Sequence, residues 1–220
     1  MKKICIVGGG TAGLVTALIL KTRFSSLKID IVKSDKIGII GVGEGSTEHW
    51  KEFATFAGIT IKELITETDA TLKNGIMFEN WTKQKYLHNN IDSINGIRIS
   101  QYQSGYAYTI VNNLKPKDYT NKDSWNNKVK YNDLPNQFHF NTFKLNNFLL
   151  KKFKEKNINI YEDEIIKVNI KKDNIESIES KSKKYKHDFY IDSTGFKRLL
   201  ISKLGAKWKS YSKYLPMNEA

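Results

Sequence analysis

Ile4-Cys5-Ile6-Val7-Gly8-Gly9-Gly10-Thr11-Ala12-Gly13 is the stretch whose reading decides the fold. A four-residue apolar run ending in glycine suits a buried parallel strand. Thr11 to Phe24 follows as a helix, with Leu14, Val15, Leu18 and Ile19 on one side. Lys28 to Lys33 (KIDIVK) reads as a second strand and closes a βαβ unit of about 30 residues. Inside that unit the glycines stand as G-x-G-x-x-G. Gly8 permits the tight turn, Gly10 lets backbone N–H groups approach a pyrophosphate, and Gly13 lets the helix pack on the strand. The first helical residues, Thr11 and Ala12, add the partial positive charge of a helix amino end. A strand before the motif and a helix after it favour a dinucleotide site over a plain tight turn.

One part of that fingerprint is missing. The acid that binds the adenosine ribose should end the second strand, and Lys33 stands there instead. Three readings stay open. Asp35, two residues on, substitutes if the turn is tight; the ribose is held by backbone groups; or Lys33 meets a 2′-phosphate. FAD is favoured over NAD by Asp192-Ser193-Thr194-Gly195, a strand-end turn late in the chain that offers a second contact on the flavin side, with Asp192 and Gly195 as its candidate residues.

Working outward, Ile37 to Thr47 is glycine-rich, Glu48 to Thr68 carries helical signals, and Thr71 to Trp81 looks extended. From His88 to Pro135 the pattern weakens into polar, Asn- and Tyr-rich sequence with short strands expected. Organisation returns at Asn141. Leu145, Phe148, Leu149 and Phe153 mark one face of a helix ending near Asn157. Four short strands follow, Ile158–Tyr161, Ile165–Lys171, Ile175–Glu179 and Phe189–Asp192, then a short helix from Phe196 to Leu204. The expected architecture is α/β, a Rossmann-like FAD-binding domain of the glutathione-reductase type. Residues 1–47 and 139–220 form it, and 48–138 is an inserted, incomplete substrate-domain segment.

Composition narrows the function classes. The 220 residues carry a formal charge of +13, but only 3 of the 36 cations are arginine. Base-edge readers use arginine's planar fork, so a lysine-solvated surface is the better reading and no specific nucleic-acid partner is expected. The single cysteine, Cys5, excludes a disulfide framework and a cysteine-based zinc site, and the four histidines show no ligand spacing, so no metal is expected. No apolar run is long enough to span a membrane. Met1-Lys2-Lys3 imitates a signal peptide, but the triple glycine interrupts it, and a cytoplasmic protein is expected.

Three segments together resemble the flavin-dependent tryptophan halogenases: IVGGGTAGLVTALIL near the amino terminus, IGVGEGST at Ile40–Thr47, and DSTGFKRLL at Asp192–Leu200. ATLKNGIMFENW (Ala70–Trp81), FHFNTFKLNNFLLKKF (Phe138–Phe153) and LPMNEA (Leu215–Ala220) fit as well, in the same order. The resemblance implies reduced FAD (FADH2) as cofactor, halide as co-substrate, and hypohalous acid as the oxidant. A lysine, here Lys73, directs that oxidant onto an electron-rich aromatic such as tryptophan or another indole, by hydrogen bond or as a haloamine. A separate flavin reductase is the implied partner. Gly43 and Glu44 fall in the implied flavin strap. On residue pattern alone Lys73 is one of 33 lysines; only the resemblance singles it out.

The same resemblance says what is missing. The chain is about half as long as family members and lacks the WxWxIP segment. A second catalytic acid, the halide site and much of the substrate wall have no counterpart here. A truncated or split enzyme is therefore expected, with a second chain as the candidate source of the missing half. Two alternatives stay open: another FAD-dependent monooxygenase or oxidoreductase, and a non-catalytic flavin-binding fragment.

Overall fold

The computed structural model describes residues 2–41, 43–47, 49–73, 75–80 (with strand β5, Gly75–Phe78) and 137–214, together with the backbone of β6 (Tyr86–Asn89), β7 (Ser93–Ile94) and β8 (Ile97–Arg98). Most of the 88–135 stretch, Trp81, Trp125 and the closing Leu215–Ala220 lie outside the described residues. The chain forms two compact units: residues 1–40 with 149–220, and residues 41–148.

The first unit is built on a four-stranded parallel sheet. Its strands are β1 (Lys3–Val7), β2 (Lys28–Lys33), β10 (Asn159–Glu162) and β14 (Phe189–Asp192), in the order β10-β2-β1-β14. Helix α1 (Thr11–Arg23) makes the crossover from β1 to β2 and packs on both. A parallel sheet covered on both faces needs apolar side chains on both, and alternation supplies them. Cys5, Val7 and Val32 join Ile178, Tyr185 and Leu200 in one buried cluster. Ile6 and Ile31 point the other way, and with Leu14 and Leu18 of α1 they are fully buried. Each such side chain contributes about 1.5–3 kcal/mol. Ile178 and Tyr185 come from a three-stranded antiparallel sheet, β11 (Lys167–Lys171), β12 (Asn174–Glu179) and β13 (Lys184–Tyr185).

In the second unit β9 (Gln137–Asn141) lies between β3 (Gly43–Gly45) and β4 (Thr71–Lys73), antiparallel to both. The helical stretch expected from Glu48 to Thr68 is two helices, α2 (His49–Ala57) and α3 (Ile61–Thr68). The break has a local cause. Gly58 takes φ +74°, and Thr60 starts a new helix with a reciprocal capping box to Glu63. The later helix is α4 (Thr142–Glu155); the Asn141 side chain caps it by accepting from the Lys144 N–H at 3.1 Å. The expected helix from Phe196 to Leu204 is instead two 3-10 turns, Gly195–Lys197 and Ile201–Leu204, separated by Arg198 at φ +48°.

Between the parallel and antiparallel sheets sits a polar group. Asp30 on β2 accepts from His187 Nε2 at 2.7 Å and from Asn159 Nδ2 at 2.8 Å. Burial by itself would raise the Asp30 pKa, but the hydrogen bonds from His187 and Asn159 and nearby positive charge outweigh it and hold the carboxyl below its usual value. Its stabilisation is therefore complete above the ordinary aspartate pKa and is lost as pH falls through the depressed one. Asp30→Asn is expected to lose about 1–3 kcal/mol at neutral pH by urea unfolding. The gap to the wild type should narrow below about pH 4. A second expectation concerns Gly8, whose φ is +117° and where an added Cβ would stand 2.2 Å from the Ser193 carbonyl oxygen. Gly8→Ala should cost more than about 3 kcal/mol, read as a collapsed thermal transition.

Candidate functional site

Ligands of open parallel sheets bind at the carboxyl ends of the strands. In the first unit those ends are drawn together by backbone bonds: the Gly8 N–H donates to the Val32 carbonyl at 2.9 Å, and the Ser193 N–H to the Val7 carbonyl at 2.8 Å. Gly8 and Gly13 are glycines because of contact. A Cβ on Gly13 would sit 2.3 Å from the Gly8 carbonyl oxygen. Gly10 is different: a Cβ there would meet nothing within 4 Å. Gly10 is also the N-cap of α1, and no side chain caps that helix. The amides leading into Thr11, Ala12 and Gly13 therefore end α1 at an open space, the arrangement that suits an anionic phosphate.

The late turn beside this crevice is held by Asp192. Its Oδ1 accepts from the Thr194 N–H at 3.1 Å and hydroxyl at 2.7 Å, and its Oδ2 from the Leu200 and Ile201 N–H groups at 2.8 and 2.9 Å. Burial opposes ionisation, but the Thr194 hydroxyl and these amides win and keep the pKa below the usual aspartate range. Asp192 thus fixes the turn's shape, while Gly195, at φ +60° with open space in front of it, is its accessible point.

Lys33 ends β2 with its side chain against Gly9, where a Cβ would lie 2.6 Å from the lysine Cβ. Its ammonium pairs with Asp35 and, at 3.0 Å, with Glu162 of β10. Burial pulls the lysine pKa down, but the hydrogen bonds to Asp35 and Glu162 more than offset this and raise it.

In the second unit Gly43, Glu44 and Lys73 belong to one sheet. Gly45 and Thr71 both pair with His139 on β9, and Lys73 follows Thr71 by two residues, so these side-chain positions share a face. Lys73 Nζ donates to the Ser46 carbonyl at 3.1 Å. A Cβ on Gly45 would lie 3.5 Å from His139 Nδ1 and 3.8 Å from Lys73 Nζ. Both head groups thus close over a glycine. Glu44, exposed, pairs with Phe140 and so belongs to the opposite face.

Two residues at these places were missed by the sequence reading. His139 stands out in the alternation Phe138-His139-Phe140, where both phenylalanines are buried and the histidine is exposed. Glu162 carried no such signal, because its neighbour Lys33 is 129 residues away. Among the described residues no three His, Cys, Asp or Glu side chains gather as a metal site, and no helix is long and apolar enough to cross a membrane.

The family model for tryptophan halogenase matches residues 3–220. The 7-chloro-L-tryptophan 6-halogenase of Kutzneria sp. (strain 744) is 28% identical over 251 residues, covering 98% of this chain and 49% of the relative. A thermophilic tryptophan halogenase from Streptomycin violaceusniger superimposes with a TM-score of 0.74 at 25% identity, over 98% of this chain and 50% of that one. A tryptophan C-6 flavin-dependent halogenase from taromycin biosynthesis shares the fold, with a TM-score of 0.74 at 24% identity, over 98% of this chain and 47% of that one. The chain spans about half the length of the relatives it matches. The α/β fold with its parallel sheet, consistent with a Rossmann-like FAD-binding domain, and a family match along nearly the whole sequence make this chain a member of the tryptophan halogenase family.

Proposed function

We propose that the chain binds FAD through the first unit's crevice and serves lysine-directed halogenation of an electron-rich aromatic such as tryptophan. The observation that carries the reading is the open, uncapped amino end of α1 behind Gly10. The fit is physical. A pyrophosphate needs backbone N–H donors, local positive potential and no side chain in the way, and all three coincide there.

Gly8, Gly10, Thr11, Ala12 and Gly13 would hold the diphosphate, with Gly195 on the flavin side. In this reading residues 1–47 and 139–220 make the FAD-binding domain, and 48–138 begins the substrate domain. Reduced flavin, when bound, supplies the oxygen-activating chemistry that turns halide into hypohalous acid. This chain's part is then positional. Gly43 and Glu44 line the strap, and Lys73 presents Nζ to the oxidant from a site tied to the Ser46 carbonyl. A separate reductase would deliver FADH2. The other reading is a flavin-binding fragment without turnover of its own.

FAD should colour the purified chain and raise its melting temperature. Gly10→Val adds bulk only to open space, so its melt without ligand should stay within about 1 kcal/mol of the wild type. Its FAD affinity should fall at least about tenfold. With FAD, reductase, NADH, oxygen and bromide, Lys73→Ala should lose halogenated indole or tryptophan by mass spectrometry while FAD binding is kept. Hydroxylated product would assign a monooxygenase, and bound FAD with no product from the wild type would assign the fragment reading. Protein that stays colourless and unshifted by either redox form would remove the flavin proposal.

A further inference from the structure

At the carboxyl end of β2, where dinucleotide-binding folds place an acid for the adenosine ribose, this chain has Lys33. The structure puts a carboxylate back at that place from another strand. β10 runs parallel to β2 and pairs Glu162 with Lys33 in register. Glu162 Oε2 accepts from Lys33 Nζ at 3.0 Å, and Oε1 accepts from the Asp35 N–H at 2.5 Å. Lys33 is itself only 15% exposed and also pairs with Asp35, so its charge is committed to two carboxylates.

We propose that Glu162, oriented by Lys33 and the Asp35 amide, is the acceptor for the vicinal hydroxyls of the adenosine ribose. The inference rests on reading the crevice as an adenine-dinucleotide site. Three features carry it. Glu162 is half-exposed, so solvent and ligand reach it. Each of its oxygens uses one lone pair within the protein and keeps another, and two acceptor oxygens match two neighbouring hydroxyl donors. The cluster of Lys33, Asp35 and Glu162 carries a net negative charge, one cation against two anions, and so repels a 2′-phosphate. Glu162 rather than Asp35 is the acceptor because it stands on a sheet strand with both oxygens fixed, whereas Asp35 lies on the following turn and is 75% exposed. Lys33 is then a positioning residue for the acid, not a reader of phosphate.

Isothermal titration of the full chain with ADP, 2′-deoxy-ADP and 2′-phospho-ADP tests this. The wild type should bind ADP about tenfold more tightly than either analogue. Glu162→Gln should bring ADP to within about twofold of 2′-deoxy-ADP, whose own affinity falls less because it loses only a 3′-hydroxyl contact. Lys33→Met, should Glu162→Gln not fold, should reduce the preference for ADP over 2′-deoxy-ADP at least about threefold. An undiminished ADP preference in a folded Glu162→Gln, or 2′-phospho-ADP binding tighter than ADP to the wild type, overturns the ribose assignment alone. Wild-type protein that binds neither ADP nor 2′-deoxy-ADP removes the dinucleotide reading, and this assignment with it.

Discussion

The Ser193 carbonyl oxygen occupies the place where a side chain on Gly8 would have to go. That close approach lets the carboxyl ends of β1 and β14 meet, and the Ser193 N–H bond to the Val7 carbonyl completes the junction. The same economy of volume recurs at Gly13, which lies on the Gly8 carbonyl. Gly10, between them, is the exception, a glycine with nothing in front of it. Two glycines thus serve the protein's own packing, and one leaves room for something else. This division separates the glycines that the chain's own packing requires from the one that faces open space.

The polar side chains around the crevice are mostly committed to holding backbone in place. Asp192 gathers three N–H groups and a hydroxyl and so shapes the turn from Ser193 to Ile201, which no regular helix organises. Its carboxylate holds the shape of that turn. Asp30, deeper in the first unit, does comparable work between β2, β10 and the segment leading into β14. In the second unit the sheet sorts its residues by face, with Lys73 and His139 on one side and Glu44 with Phe140 on the other. Glu44 and Lys73 are thereby given different surroundings.

The βαβ opening was legible because its signals are local. An apolar run, a glycine motif and a 3.6-residue period fall within the first 33 residues, and each element takes the conformation its own sequence prefers. The split of the 48–68 helix was less visible, although Gly58 and the Thr60–Glu63 pair are both breaking and starting signals. The turns from Gly195 to Leu204 were misread as a helix because apolar spacing cannot reveal that Asp192 claims the Leu200 and Ile201 amides. Lys73 is one lysine among many until a family likeness marks it, and strand pairing is what sets His139 on its face.

By itself the sequence determined a strand, a phosphate-suited glycine turn and a helix, since these depend on neighbours a few residues apart. It also determined family membership, which its ordered motifs carry along nearly the whole length. Tertiary structure alone decided what Lys33 pairs with. The partner that neutralises it, Glu162, arrives on β10 from 129 residues away. Which strands lie side by side is a matter of long-range packing that no local pattern encodes.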